Sequence, residues 1–257
     1  MDKQHIVHIS DAFYRRLKKY SNNTTKNFNT ESIHKFRVEY KKLRAFFRML
    51  SQAKGTAQKI KIPKPLKQAY AIAGRLRDLQ LQQQLLTKTS GKKGAAFLQN
   101  KIDTTKTALL KAISKNPVSI SKKKTSILLP DKYPLRCFKI FIQTKQSSAN
   151  GIVSKKQLAD AGFHAIRKII KDLFYNLQLY KGDEYKKLSR LIYKEKNEKY
   201  FKQLLNELGR LQDKCVAIAL LKISGTTPQA GIRKQWVKEK NTLKQLLTKK
   251  LKTFVPR

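Results

Sequence analysis

The chain carries one helical signature twice. Ile33-His34-Lys35-Phe36-Arg37-Val38-Glu39-Tyr40-Lys41-Lys42-Leu43-Arg44 returns 130 positions later as Phe163-His164-Ala165-Ile166-Arg167-Lys168-Ile169-Ile170-Lys171-Asp172-Leu173-Phe174. The shared pattern is apolar-His-x-apolar-Arg-x-x-x-Lys-x-Leu. A second pair follows in the same order, Gly74-Arg75-Leu76-Arg77-Asp78 and, 135 positions on, Gly209-Arg210-Leu211-Gln212-Asp213. Two different motifs recurring in one order at nearly one spacing mark an internal duplication. The halves are expected over about 1–113 and 131–257. Between them, 114–130 reads as a linker with Pro117, Lys122-Lys123-Lys124 and Pro130.

Gly and Pro number 10 and 7, too few to interrupt the apolar spacing often, and that spacing is close to 3.6 throughout. An all-α chain is expected. Helices are placed at about Ser10 to Tyr20, Thr30 to Leu50, Leu66 to Thr87 and Ala95 to Ile113, with a break at Ser21 to Thr30 and a turn at Gly91 to Gly94. Thr30-Glu31 reads as a hydroxyl cap followed by an acid at the positive helix end. In the second half, helices are expected at Leu135 to Thr144, from a Ser154/Gln157 capping box to Tyr180, from Tyr185 to Ile223 with a bend near Lys194, and from Gly231 to Leu251. Gln146 to Gly151 and Gly225 to Pro228 read as loops.

On the repeated helix, His34, Arg37, Lys41, Arg44 and Arg48 fall within a sector of ~80° at ~100° per residue. Phe36, Leu43, Phe46, Phe47 and Leu50 fill the neighbouring sector as a core edge. In the second copy His164, Arg167, Lys168 and Lys171 cluster likewise beside Ile166, Ile169, Ile170, Leu173 and Leu177. A solvated helix face normally mixes charge signs. These rows hold no acid, and Glu39 and Asp172 lie outside them. Facing one channel, two such rows would offer a chain of phosphates bidentate arginines and point-charge lysines.

The charge balance agrees. The 58 Lys+Arg against 16 Asp+Glu give a formal charge of +42, a self-repulsion that a polyanion would relieve. Solubility alone does not require such an imbalance. At 40% hydrophobic the chain can still bury a core. Two cysteines, Cys137 and Cys215, are too few for a disulfide framework and read as small buried side chains. No apolar leader opens the sequence and no ~20-residue apolar run would span a membrane, so a soluble cytoplasmic protein is expected.

His34 and His164 admit four roles: packing with a satisfied hydrogen bond, contact to the polyanion, phosphoryl transfer, or metal ligation. The last lacks a ligand set at zinc spacing. Asp78 and Asp213 either orient nearby cations or pair locally. Gly74 and Gly209 lie within helical pattern, where glycine costs up to ~1 kcal/mol, and a close helix crossing would account for them.

At these residues the sequence resembles the CHAD family, the conserved-histidine α-helical domain. The resemblance rests on His34, Arg37, Val38, Lys41, Lys42, Leu43 and Arg44, on Gly74, Arg77 and Asp78, on Leu208, Gly209 and Asp213, and on His164, Arg167, Lys168, Lys171 and Tyr175. It implies two four-helix bundles related by a pseudo-two-fold, a basic central pore, and binding of inorganic polyphosphate, with some relatives found at polyphosphate granules. The site residues it implies, with those of the two rows, are His34, Arg37, Lys41, Lys42, Arg44, Arg48, Arg75, Arg77, His164, Arg167, Lys168, Lys171 and Arg210. Lys41, Asp172, Phe174 and Gln212 depart from the family pattern, so the second half should offer fewer contacts. No cofactor and no catalysis are expected, since the rows lack acids to hold Mg²⁺ beside phosphates. A nucleic-acid binder is the alternative on charge alone. Against it, Phe36, Phe46 and Phe47 sit on the core edge, away from where bases would stack.

Overall fold

The computed structural model describes residues 1–52, 59–155, 157–194, 196–223 and 230–254. Among them the regular structure is helical and no strand occurs; a single antiparallel bridge pairs Asp2 with Lys132. The chain divides into two compact units, Met1–Cys137 and Phe138–Arg257.

The first unit begins with α1, Lys3–Asn27, capped by Asp2, whose Oδ1 accepts from the His5 N–H at 2.8 Å. The expected break at Ser21 is absent. Ser21 and Thr24 are buried on the same face as Phe13 and Leu17, so the helix keeps its packing and ends only where Phe28 turns left-handed at φ 50°. Gln80 Nε2 pins that turn by donating to Phe28 O at 2.6 Å. α2, Thr30–Leu50, is capped by Asn29, one residue before the expected hydroxyl: Asn29 Oδ1 accepts from Ser32 N at 2.7 Å. Its core face buries Ile33, Phe36, Leu43, Phe46, Phe47 and Leu50. Phe46 meets Phe13 of α1 at 5.8 Å between ring centroids.

α3 is one unbroken helical run, Lys64–Ser114, yet it doubles back. Gln83 Nε2 donates to Gln99 Oε1 at 3.0 Å, whereas sixteen residues of straight helix would separate their Cα atoms by ~24 Å. The reversal lies in the interval where the sequence places the Gly91–Gly94 turn. The segment expected as a linker is instead mostly a helix, α4, Pro117–Ser126, packed on α1 and α3. The reason is a buried hydroxyl. Tyr14 of α1 meets Ser121 Oγ at 2.9 Å and Thr125 Oγ1 at 2.8 Å. These partners stand one turn apart on α4, as helical spacing supplies. Of the lysine run, Lys122 pairs with Asp11 at 3.0 Å.

The unit boundary falls inside α5, Leu135–Val153, which also takes in the loop expected at Gln146 to Gly151. α6, Asp160–Leu177, starts later than the Ser154 capping box predicts; Ala159 is its N-cap, without a side-chain cap. Asp160 in its first turn supplies the acid instead. α7, Gly182–Tyr193, and α8, Glu198–Ile223, are separated at Lys194, whose φ of 51° ends α7 where the sequence suggests only a bend. α9, Ala230–Phe254, closes the unit. The loop expected at Gly225 to Pro228 lies outside the described residues. α6 packs on α7 and α8, and α8 on α9. Phe163, Ile166, Ile170, Leu173 and Leu177 form the buried face of α6. At the α8–α9 contact, Lys214 pairs with Glu239 and sets its ammonium 5.3 Å from the Trp236 ring centroid.

Candidate anion-binding site

The cationic row of α2 stands as its spacing requires. Arg37, Lys41, Arg44 and Arg48 are half-buried and His34 is exposed, beside a fully buried aromatic edge. Half-burial matters because it fixes each aliphatic stem against the protein while the charged head reaches water.

Arg37 is the most constrained. Its Nη1 donates to the Tyr70 carbonyl of α3 at 3.1 Å, and its Cζ lies 4.6 Å from the Tyr70 ring centroid. Tyr70 in turn stacks on Tyr40 of α2 at 4.0 Å and 17°. Arg44 Cζ stands 5.8 Å from the Tyr40 ring and 6.0 Å from that of Tyr70. Two arginines thus rest on one pair of tyrosines, and planar guanidinium groups are suited to such stacking. The Nε atoms of Arg37 and Arg44 are buried without a hydrogen-bond partner. That cost is accepted in order to hold the two head groups in place.

Gly74 explains how Arg37 fits. A Cβ there would fall on Arg37 Nη1 and only 2.9 Å from Cζ. The glycine lies where α2 meets α3, as a close helix crossing would require, and the three atoms nearest a Cβ all belong to the Arg37 side chain. Tyr70, Gly74, Arg77 and Asp78 share a sector of ~100° on α3, so Arg77, half-buried, belongs with the row. Arg75 lies ~60° beyond that sector and is exposed. Asp78 joins the cations while remaining open to solvent. Partial desolvation raises its carboxyl above the ordinary value, and Arg37, Arg77 and Lys41 offset only part of that shift.

Lys42 is turned elsewhere. Its Nζ meets Glu39 Oε1 at 2.8 Å, and Glu39, 5% exposed, also accepts from Arg16 Nε of α1 at 2.8 Å. Lys42 therefore belongs to the α1–α2 seam.

The second unit repeats the plan with fewer parts. Arg167 faces Gly209, where a Cβ would stand 3.2 Å from Nη2, and its Nε is buried without a partner. His164 and Lys171 are half-buried, Lys168 exposed, and Lys171 lies 5.9 Å from the Tyr175 ring. Ile170 and Leu205 occupy the positions of Tyr40 and Tyr70, and Phe174 and Gln212 those of Arg44 and Arg77. Arg210 is exposed and helps to lower the pKa of Glu239, on α9. Asp213 is exposed.

The tyrosine pair was missed by sequence reasoning, although a signal exists. Tyr40 lies three residues after Arg37 and four before Arg44, and Tyr70 lies one turn before Gly74. Among the described residues no group of His, Cys, Asp or Glu could hold a metal ion, and no helix is long and apolar enough to cross a membrane.

A search of curated proteins by sequence gave no match. Among solved structures, the CHAD domain from the plant Ricinus communis is similar at TM-score 0.63 and 16% identity, covering 95% of this chain and 84% of that one. PptA from Streptomyces chartreusis is similar at TM-score 0.60 and 14% identity, covering 96% and 98%. At these identities the likeness concerns the fold. The CHAD domain family itself matches residues 8–222, which takes in both histidine helices and both glycine motifs, and the chain therefore belongs to the CHAD domain family.

Proposed function

We propose that the chain binds inorganic polyphosphate, without catalysis, through the cationic rows of its histidine helices. The observation that carries this reading is the arrangement of Arg37 and Arg44 on the Tyr40–Tyr70 stack, in line with Lys41 and Arg48. Head groups already fixed lose little entropy when a phosphate chain arrives. Arginine offers phosphate oxygens paired donors, and lysine adds charge. The aromatic rings nearest the row are buried or already stacked, which favours a ligand of phosphates without bases. Family membership points to the same ligand, and the place this reading implies is the cytoplasm, at polyphosphate granules.

The test is a titration with long-chain polyphosphate, alongside single- and double-stranded DNA and RNA, at physiological ionic strength. Submicromolar polyphosphate binding that nucleic acid does not displace supports the reading. Equal or tighter binding of nucleic acid overturns it in favour of a nucleic-acid binder.

A further inference from the structure

We infer that Gly74 is a positioning residue of the anion site, and that Gly209 plays the same part more loosely in the second unit. This rests on the polyphosphate reading above. Gly74 is buried inside a helix, where alanine would be the better residue by propensity. Something other than helix formation selects it. The three atoms nearest a Cβ at Gly74 are Nη1, Cζ and Nη2 of Arg37. No backbone atom is among them, so the glycine clears space for a guanidinium. That space is what allows Nη1 to reach the Tyr70 carbonyl and Cζ to sit over the Tyr70 ring. The glycine, the carbonyl and the ring together fix one cationic head group in the row.

The duplication supplies an internal comparison. At Gly209 the three nearest atoms are again all from one arginine, Nη2, Nε and Cζ of Arg167, at 3.2, 3.7 and 3.8 Å. Two glycines 135 positions apart, each set against the arginine of its own histidine helix, repeat one device. The fit differs. A methyl group at Gly74 overlaps Arg37 outright, whereas one at Gly209 asks Arg167 to yield by a few tenths of an ångström. Arg167 also lacks the tyrosine pair, since Ile170 and Leu205 stand in its place. The first unit therefore presents its arginine in one orientation and the second unit lets its own adjust.

The experiment measures long-chain polyphosphate affinity for wild type, Gly74→Ala, Gly209→Ala, Arg37→Ala and the double variant Arg37→Ala/Gly74→Ala, with melting temperature and helicity for each. Gly74→Ala should lower affinity roughly tenfold or more, the worth of a charge-assisted phosphate contact, while helicity holds. Gly209→Ala should lose less. In the Arg37→Ala background the methyl group has room, and Gly74→Ala should cost nothing further. Wild-type affinity in Gly74→Ala, or an equal loss with and without Arg37, overturns the inference. Should Gly74→Ala fail to fold, Tyr70→Leu asks the same question, since it removes the ring under Arg37 and keeps the carbonyl; unchanged affinity there also overturns it. Wild-type protein that ignores polyphosphate defeats the functional reading itself, a separate and recognisable result.

Discussion

Lys145 Nζ lies 2.9 Å from Asp172 Oδ2, and the two side chains are 19% and 8% exposed. Asp172 occupies the position that Lys42 holds in the first copy, so each duplicated helix keeps one buried acid but at a different position. In the first unit the acid is Glu39 and its partners are Arg16 and Lys42. In the second the acid has moved three residues along, and α5 supplies the base. Removing one member of a buried pair strands the other, so Asp172→Ala should cost about 3 kcal/mol of stability. Urea denaturation checks this; a loss near zero would mean that Lys145 finds another partner.

Lys42 and Arg44 are two residues apart but face different tasks. Lys42→Ala should lower stability by about 1 kcal/mol, because Glu39 keeps Arg16 but loses one ion pair. Its effect on polyphosphate affinity should be smaller than that of Arg44→Ala. Isothermal titration of both variants decides the order.

The double variant Arg37→Ala/Lys41→Ala removes two cations from the row without touching the core face. Affinity for polyphosphate should fall by about 3 kcal/mol, at about 1.5 for each charged contact. The slope of log affinity against log salt should shrink by about 1–2, since fewer counterions are released. Unchanged affinity would remove the α2 row from the site.

Tyr14→Phe keeps the ring against Phe47, at 6.4 Å, and deletes only the hydroxyl that joins α1 to α4. The expected loss is about 1–2 kcal/mol. Hydrogen exchange should show α4 opening more often than in wild type.

Asp160 is subject to partial burial, which raises its pKa, but bonds from Lys244 and Lys240 hold the carboxyl down at about 2 against an ordinary 3.8. Because the folded pKa is depressed, its contribution is present above pH 4 and is lost as pH falls toward 2. Solvent screening keeps that contribution small, since 41% of the side chain is exposed. Asp160→Asn should therefore flatten the acid limb of the stability curve between pH 4 and 2 and leave pH 7 stability slightly lower.

Much of this was legible from local spacing. The repeat, the core edge of Phe36, Phe46 and Phe47, and the row from His34 to Arg48 follow from a period of 3.6 alone. What was hidden depends on contacts distant in sequence. Ser21 and Thr24 look like helix breakers until they are buried in the α1 packing face. Residues 117–126 look like linker until Tyr14 needs two hydroxyls. Gly74 reads as a close helix crossing, and only the packing of α2 on α3 shows that the Arg37 side chain fills the space beside it. Tyr40 reads as one more core aromatic, and only the approach of Tyr70 from α3 makes it a platform for two guanidinium groups.

The Lys214–Trp236 contact sets the optics of the protein. Trp236 is the only tryptophan in the sequence, and it lies at the α8–α9 pairing of the second unit. Emission excited at tryptophan wavelengths is accordingly a local reporter of that pairing, sensitive to any loss of the ammonium over the indole. A fluorescence change on adding polyphosphate would register an event in the second unit, and following the arginines of the first would take a fluorophore placed there by design.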